Sequence, residues 1–186
     1  VAETFVTRIL LIGIGLIMSV IVARVLGPEG RGLYAVAATI GAIGVQFSNL
    51  GLHASNTYYV ARDRELLPAL VGNTIVVSFG FGGLGCAFTW IIFSLWPNLA
   101  PLNGLLLILS LTWIPFGLAY MLLQNLLLGI QEIHSYNKIE LVTKIFGVIF
   151  IALIIYLRSV TVEKVFSAGL VVMVISFVWA FWRLLT

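Results

Sequence analysis

Charge is scarce in this sequence. Only 9% of its 186 residues are Asp, Glu, Lys or Arg and 61% are hydrophobic, whereas a soluble domain carries about 25% charged and about 45–50% apolar residues. A water-soluble globule of this size must cover itself with polar groups, and ten basic plus seven acidic side chains do not suffice. The solvent for most of the surface is therefore lipid. Cysteine is nearly absent too: Cys86 stands alone, which excludes an intrachain disulfide and a cysteine metal cluster and leaves a small packing residue. Asp63 is the sole aspartate, which removes most paired-carboxylate mechanisms that a membrane glycosyltransferase would need. There is no G-x-x-x-x-G-K-[ST], no H-E-x-x-H and no Cys/His metal spacing, so nothing points to an enzyme, a cofactor or a metal. The ten-residue alternation of a β-barrel is missing as well. One literal G-x-G-x-x-G match, Gly80 to Gly85, lies inside an apolar run with no soluble strand before it. It reads instead as small residues, with Ser78, Gly82 and Cys86 at four-residue spacing, that admit a neighbouring helix.

What the chain has in abundance is long apolar runs. Six of them, Phe5–Val25, Leu33–Ser55, Leu70–Trp96, Leu105–Ile130, Leu141–Leu157 and Val165–Leu185, approach the ~20 residues that cross a hydrocarbon core as a helix. The expected fold class is an all-α integral membrane bundle of six transmembrane helices. The first run is too long for a cleaved signal peptide. The fifth is short, so Lys144 is expected to snorkel to the interface. With the N-terminus inside, Arg8, Arg62, Arg64, Lys138, Lys144 and Arg183 fall on the cytoplasmic side, against Arg24, Arg31, Arg158 and Lys164 outside. That bias predicts both termini in the cytoplasm. Trp90, Trp96, Trp179 and Trp182 lie near predicted helix ends, as in an aromatic belt.

Polar residues within the spans carry more information, because an unpaired amide in hydrocarbon is costly and such groups face a bundle interior or a cavity. Gln46, Asn49, His53 and Asn56 share one helical face, and Trp113, Gly117, Tyr120, Gln124 and Gln131 form another, with Asn125 beside it and Pro115 available as a kink. Arg8, Gly15 and Ser19 align on the first helix. Two readings stand: interhelical hydrogen-bonding glue, or a shared water-filled cavity. His53 is either a pH-responsive group or a hydrogen-bonded spectator, and Glu132 and Glu140 are expected to be solvated.

The run ARVLGPEGRGLYAVA after the first helix resembles the first-loop signature of the multidrug/oligosaccharidyl-lipid/polysaccharide (MOP) exporter superfamily, especially its O-antigen flippase (Wzx-type) branch. FSNLGLHASNTYYVARD is similar to that family's polar exit into the first cytoplasmic loop, and LLLGIQEIHSYNKIELVTKIFGVI to its connection between the fourth and fifth helices. The likeness covers essentially the whole chain in order. It implies one lobe, residues 1–186, of a MATE-like transporter of twelve to fourteen helices, with a C-terminal lobe missing; Val1 in place of Met agrees with that expectation. It further implies translocation of an undecaprenyl-diphosphate-linked oligosaccharide across a bacterial or archaeal cytoplasmic membrane by alternating access, for cell-surface polysaccharide synthesis. The implied partners are the bilayer, the lipid-linked oligosaccharide and the second lobe, with polysaccharide polymerase and glycosyltransferases as further candidates, and no nucleic acid.

In that setting Arg24, Gln46, Asn49, Asn56, Tyr120, Gln124 and Asn125 are the candidate cavity residues. Arg suits phosphate oxygens, and amides, hydroxyls and aromatic rings suit sugars. Arg24 has three readings: a diphosphate contact, a partner for Glu29, or an arginine snorkelling to the interface. Arg62 and Arg64 are candidates at the cytoplasmic mouth, or else an orientation signal touching anionic lipid. The alternatives from other classes are a drug or organic-cation antiporter of the same superfamily, which would want a mid-span carboxylate, an integral-membrane glycosyl- or acyltransferase, and a non-transporting scaffold.

Overall fold

The first helix shows how the sequence folds this bundle. Helix α1 (Ala2–Asn49) is interrupted once, at Gly27, whose φ of 69° and ψ of −179° are non-helical. That combination belongs almost exclusively to glycine, and Pro28 enforces it by disfavouring the helical region for the residue before it. Proline then opens the next helical segment, where its missing N–H costs nothing. α1 is therefore two arms, 2–26 and 28–49. Gly15, Met18 and Ser19 of the first arm share a hollow with Arg31, Tyr34 and Ala35 of the second. A straight helix would hold Met18 and Tyr34 roughly 24 Å apart at about 1.5 Å per residue, so the chain doubles back at Gly27. The expected loop between the first two spans shrinks to a single residue, and Glu29 and Arg31 lie in the first turn of the second arm.

The computed structural model describes residues 2–100, 102 and 104–186. After α1 come a short α2 (Leu52–Arg62), a 3-10 turn (Arg64–Leu66), α3 (Leu67–Leu95), a second 3-10 turn (Pro97–Leu99), α4 (Gly104–Gly129), α5 (Ile133–Tyr156) and α6 (Val162–Leu185). The described residues form no strand. Five helical stretches are long and apolar enough to cross a membrane, the first being the 46-residue Thr4–Asn49 that contains the Gly27 break. This is a multi-pass all-α membrane bundle. Both chain ends lie at one end of it: Arg8 pairs with Glu140 and Arg183 with Glu132, both acids at the start of α5. The opposite end holds the Gly27 turn, where Gly30 lies against Val162.

Helix α4 is the centre. It buries residues on all sides, including Leu118, Leu122, Leu123, Leu126 and Leu127, and packs against α1, α2, α3 and α6. Its approach to α3 depends on small residues. Val71, Thr74, Ser78 and Gly82 form the buried face of α3, and a Cβ at Gly82 would sit 2.9 Å from the Pro115 Cα. Pro115 has no N–H, so the Leu111 carbonyl, four residues earlier, loses its helical donor. The Cys86 thiol donates to that carbonyl at 2.9 Å. Cys86 is thus more than a small packing residue, because it fills the hydrogen-bonding gap its neighbour's proline creates.

Candidate functional site

Two hollows join along the inside of the first arm of α1. One, of about 400 Å³, is lined by Gly15, Ser19, Val22 and Arg31 among others. The other, of about 420 Å³, is lined by Gln46, Trp113, Gly117, Tyr120, Thr143 and Gly169 among others. Met18, Tyr34 and Lys144 border both, so the two form one groove. Among the described residues, no carboxylate lines either hollow. Its charged groups are Lys144 and Arg31, and both are cations.

The fifth helix starts earlier than the sequence predicts, which changes the place of Lys144 along it. The expected fifth span began at Leu141, which put Lys144 near the interface, but α5 begins at Ile133 and runs 24 residues to Tyr156. The polar prefix IHSYNKIE is helical because its side chains find partners. Ser135 donates to Glu132 at 2.7 Å, the Tyr136 hydroxyl accepts from Arg8 at 3.1 Å, and Glu140 accepts from Arg8 at 3.2 Å. Lys144 is consequently near the middle of α5, roughly 17 Å from either end at about 1.5 Å per residue. No hydrogen bond or ion pair to Lys144 exists among the described residues. A lysine at the centre of a spanning helix costs on the order of 3 kcal/mol in hydrocarbon. The groove gives its ammonium a polar wall of Gln46, Tyr120 and Thr143. The spacing Tyr136, Glu140, Thr143, Lys144 on one helical face was the sequence signal that marks it.

The predicted candidates divide. Gln46 and Tyr120 line the groove, and Gln124 supports Tyr120 by donating to its hydroxyl at 2.7 Å. The α4 stripe Trp113, Gly117, Tyr120 is therefore brought to one wall, whereas Gln131 leaves it, lying past the helix end with φ of 65°. The other stripe is broken. Leu50 and Gly51 take positive φ of 45° and 79°, which ends α1 at Asn49 and gives α2 a new direction, so His53 and Asn56 do not continue the face that Gln46 and Asn49 share. Asn49 is buried and bridges the break, its side-chain oxygen accepting from the His53 backbone N–H at 3.1 Å and its amide nitrogen lying 2.6 Å from His53 Nδ1. Asn56 is buried and donates to Thr74 on α3 at 3.0 Å. Asn125 donates to the Met121 carbonyl within its own helix at 2.8 Å. These three asparagines are interhelical and intrahelical glue.

The arginines divide in the same way. Arg24 is exposed at the turn end and lines neither hollow, and no ion pair joins it to Glu29. Arg62 is exposed. Arg64 donates to the Ile130 carbonyl at 2.7 Å and so satisfies a carbonyl just past the end of α4. Arg8 donates to the Tyr136 hydroxyl at 3.1 Å and pairs with Glu140, while Gly15 and Ser19 from the same helix line the groove. Glu132 and Glu140, expected to be solvated only, each hold an arginine. The hydrogen bond from Ser135, with the charges of Arg183 and Arg64, keeps the Glu132 carboxyl below the usual carboxylate range. No cluster of His, Cys, Asp and Glu among the described residues can hold a metal ion.

Comparison with family models, with curated proteins and with solved structures finds no match to this chain. The functional reading therefore rests on the groove.

Proposed function

We propose that the chain is one lobe of a flippase that carries a lipid-diphosphate-linked oligosaccharide across the membrane by alternating access. The observation that carries this reading is a groove running from the Gly27 end of the bundle to the middle of α5, with Arg31 and Lys144 on its walls and no carboxylate among the described residues that line it. Such a lining favours an anion over a cation, and a diphosphate supplies the charge while it is tethered to the bilayer. Gln46, Tyr120 and Thr143 present amide and hydroxyl groups beside the ammonium, and Trp113 presents a ring. These are the partners that sugar hydroxyls and sugar faces take. The reading agrees with the MOP-type loop pattern ARVLGPEGRGLY.

The same lining weighs against the drug or organic-cation antiporter, which needs a carboxylate in the cavity to neutralise its substrate. The nearest acid on α5, Glu140, is one turn from Lys144 and is engaged by Arg8. Disrupting the gene in its source organism tests the proposal. Lipid-diphosphate-linked sugar should accumulate on the cytoplasmic leaflet and surface polysaccharide should fall. Unchanged leaflet distribution together with raised sensitivity to lipophilic cations would overturn it in favour of the antiporter.

A further inference from the structure

A second basic hollow, separate from the groove, opens at the end of the bundle that carries both chain ends. It measures about 240 Å³ and is lined by His134, Ser135, Lys138 and Ile139 of α5 and by Trp179 and Arg183 of α6. Arg183 is fixed in place. Its Nε donates to Ser135 Oγ at 3.1 Å and its Nη2 to Glu132 Oε2 at 3.2 Å, and the remaining N–H groups of its five are left for a ligand. Lys138 is exposed, with no hydrogen bond or ion pair among the described residues. Glu132, beside the hollow, is occupied by Arg183 and Ser135 and stands outside the lining. The α5 N-terminus adds the positive end of a helix dipole to the same place.

The depth of the hollow identifies the ligand class. Indole rings sit at headgroup level in a bilayer, and Trp179 walls the hollow one helical turn inside Arg183. Ile139, 1% exposed, gives it an apolar floor. Beside Trp179, the side chains Val171, Ile175, Val178 and Trp182 are exposed at i, i+4, i+7 and i+11 along α6, a continuous apolar strip running away from the cations toward the membrane interior. A basic pocket between two spanning helices, at headgroup depth and beside an apolar strip, suits the phosphate of an anionic lipid.

We propose that the hollow between the start of α5 and the end of α6 is a binding site for the phosphate of an anionic phospholipid, held by Lys138 and Arg183, with its acyl chains along the outer face of α6. This site is independent of the flippase reading. Free phosphate shares the same chemistry, so the test has arms for both sources. The purified protein is placed in nanodiscs of phosphatidylcholine alone, of phosphatidylcholine with phosphatidylglycerol, and of phosphatidylcholine with inorganic phosphate in the buffer. Thermal unfolding and the lipids retained in native mass spectrometry are then measured.

Phosphatidylglycerol should raise the melting temperature and stay bound through detergent release, while inorganic phosphate should raise it less and leave no lipid retained. Lys138→Gln should cut phosphatidylglycerol retention about fivefold. Lys164→Gln, at the opposite end of the bundle, should leave retention unchanged. Equal losses in the two variants would mean diffuse surface attraction and would overturn the site. Stabilisation by inorganic phosphate with no phosphatidylglycerol retained would overturn the lipid as its ligand.

Discussion

Replacing Cys86 by alanine tests whether its thiol is paired to the carbonyl that Pro115 orphans. The perturbation removes the thiol donor 2.9 Å from the part-buried Leu111 oxygen, whose helical donor Pro115 has already removed. A typical intramolecular hydrogen bond contributes about 1 kcal/mol net, and stranding a buried acceptor costs about 1–3 kcal/mol. The thiol is a weak donor, which places Cys86→Ala near the lower bound, at about 1 kcal/mol. The cleaner reading comes from a double-mutant cycle. Pro115→Ala restores a backbone N–H that can serve Leu111 within α4, so in that background Cys86→Ala should cost only a few tenths of a kcal/mol. Any general cost of removing the Pro115 ring from Gly82 cancels in the cycle. Unfolding in mixed micelles, followed by the fluorescence of the five tryptophans, gives all four free energies. Cys86→Ser should stay close to wild type, since a hydroxyl also donates. An equal loss on Cys86→Ala in both backgrounds would refute the assignment and return Cys86 to a packing role.

Two further substitutions probe the frame. Gly27→Ala places a side chain at φ 69°, ψ −179° and should destabilise the bundle by about 1–3 kcal/mol; the same micelle unfolding measures it, and wild-type stability would mean that Pro28 alone makes the turn. The Glu132–Arg183 pair should show a definite pH response. Because the folded carboxyl lies below its ordinary range, its contribution is fully present above that range and is lost as pH falls through the lowered value. Both side chains are 40% exposed, so the contribution is well under 1 kcal/mol. Glu132→Gln should accordingly show slightly less acid destabilisation than wild type in thermal unfolding between neutral and low pH, and an identical acid profile would dismiss the pair as a contributor.

How much of the bundle is legible in the sequence depends on what kind of signal each residue sends. Apolar runs give the number and rough place of the long helices, because lipid imposes length and composition on each one separately. Their polar ends are less legible. The segment 133–140 is too hydrophilic to count as a span, yet it is the start of α5, held there by partners on other helices such as Arg8 and Arg183 and by burial of Ile139. Misplacing that start moves Lys144 from the middle of the helix to its first turn. Helical periodicity finds the Trp113–Tyr120 wall correctly, since α4 is regular there. It fails for Asn49 to Asn56, because Leu50 and Gly51 break the helix in a way that one glycine in a polar stretch does not announce. The Cys86–Leu111 contact is beyond any reading of the sequence alone, since it joins two helices that only tertiary structure brings together.

The central claim is that Lys144 anchors an anionic substrate in the groove, and its most direct measurement is the leaflet distribution of lipid-diphosphate-linked sugar in cells expressing wild type, Lys144→Gln or Lys144→Arg from the native locus. A charged hydrogen bond contributes about 1.5–3 kcal/mol, so Lys144→Gln should slow transfer at least about tenfold while Lys144→Arg keeps most of it. Removing a mid-span charge also favours membrane insertion, so the slower Lys144→Gln protein should be present at wild-type levels or above. Wild-type transfer by Lys144→Gln at equal expression would contradict the account.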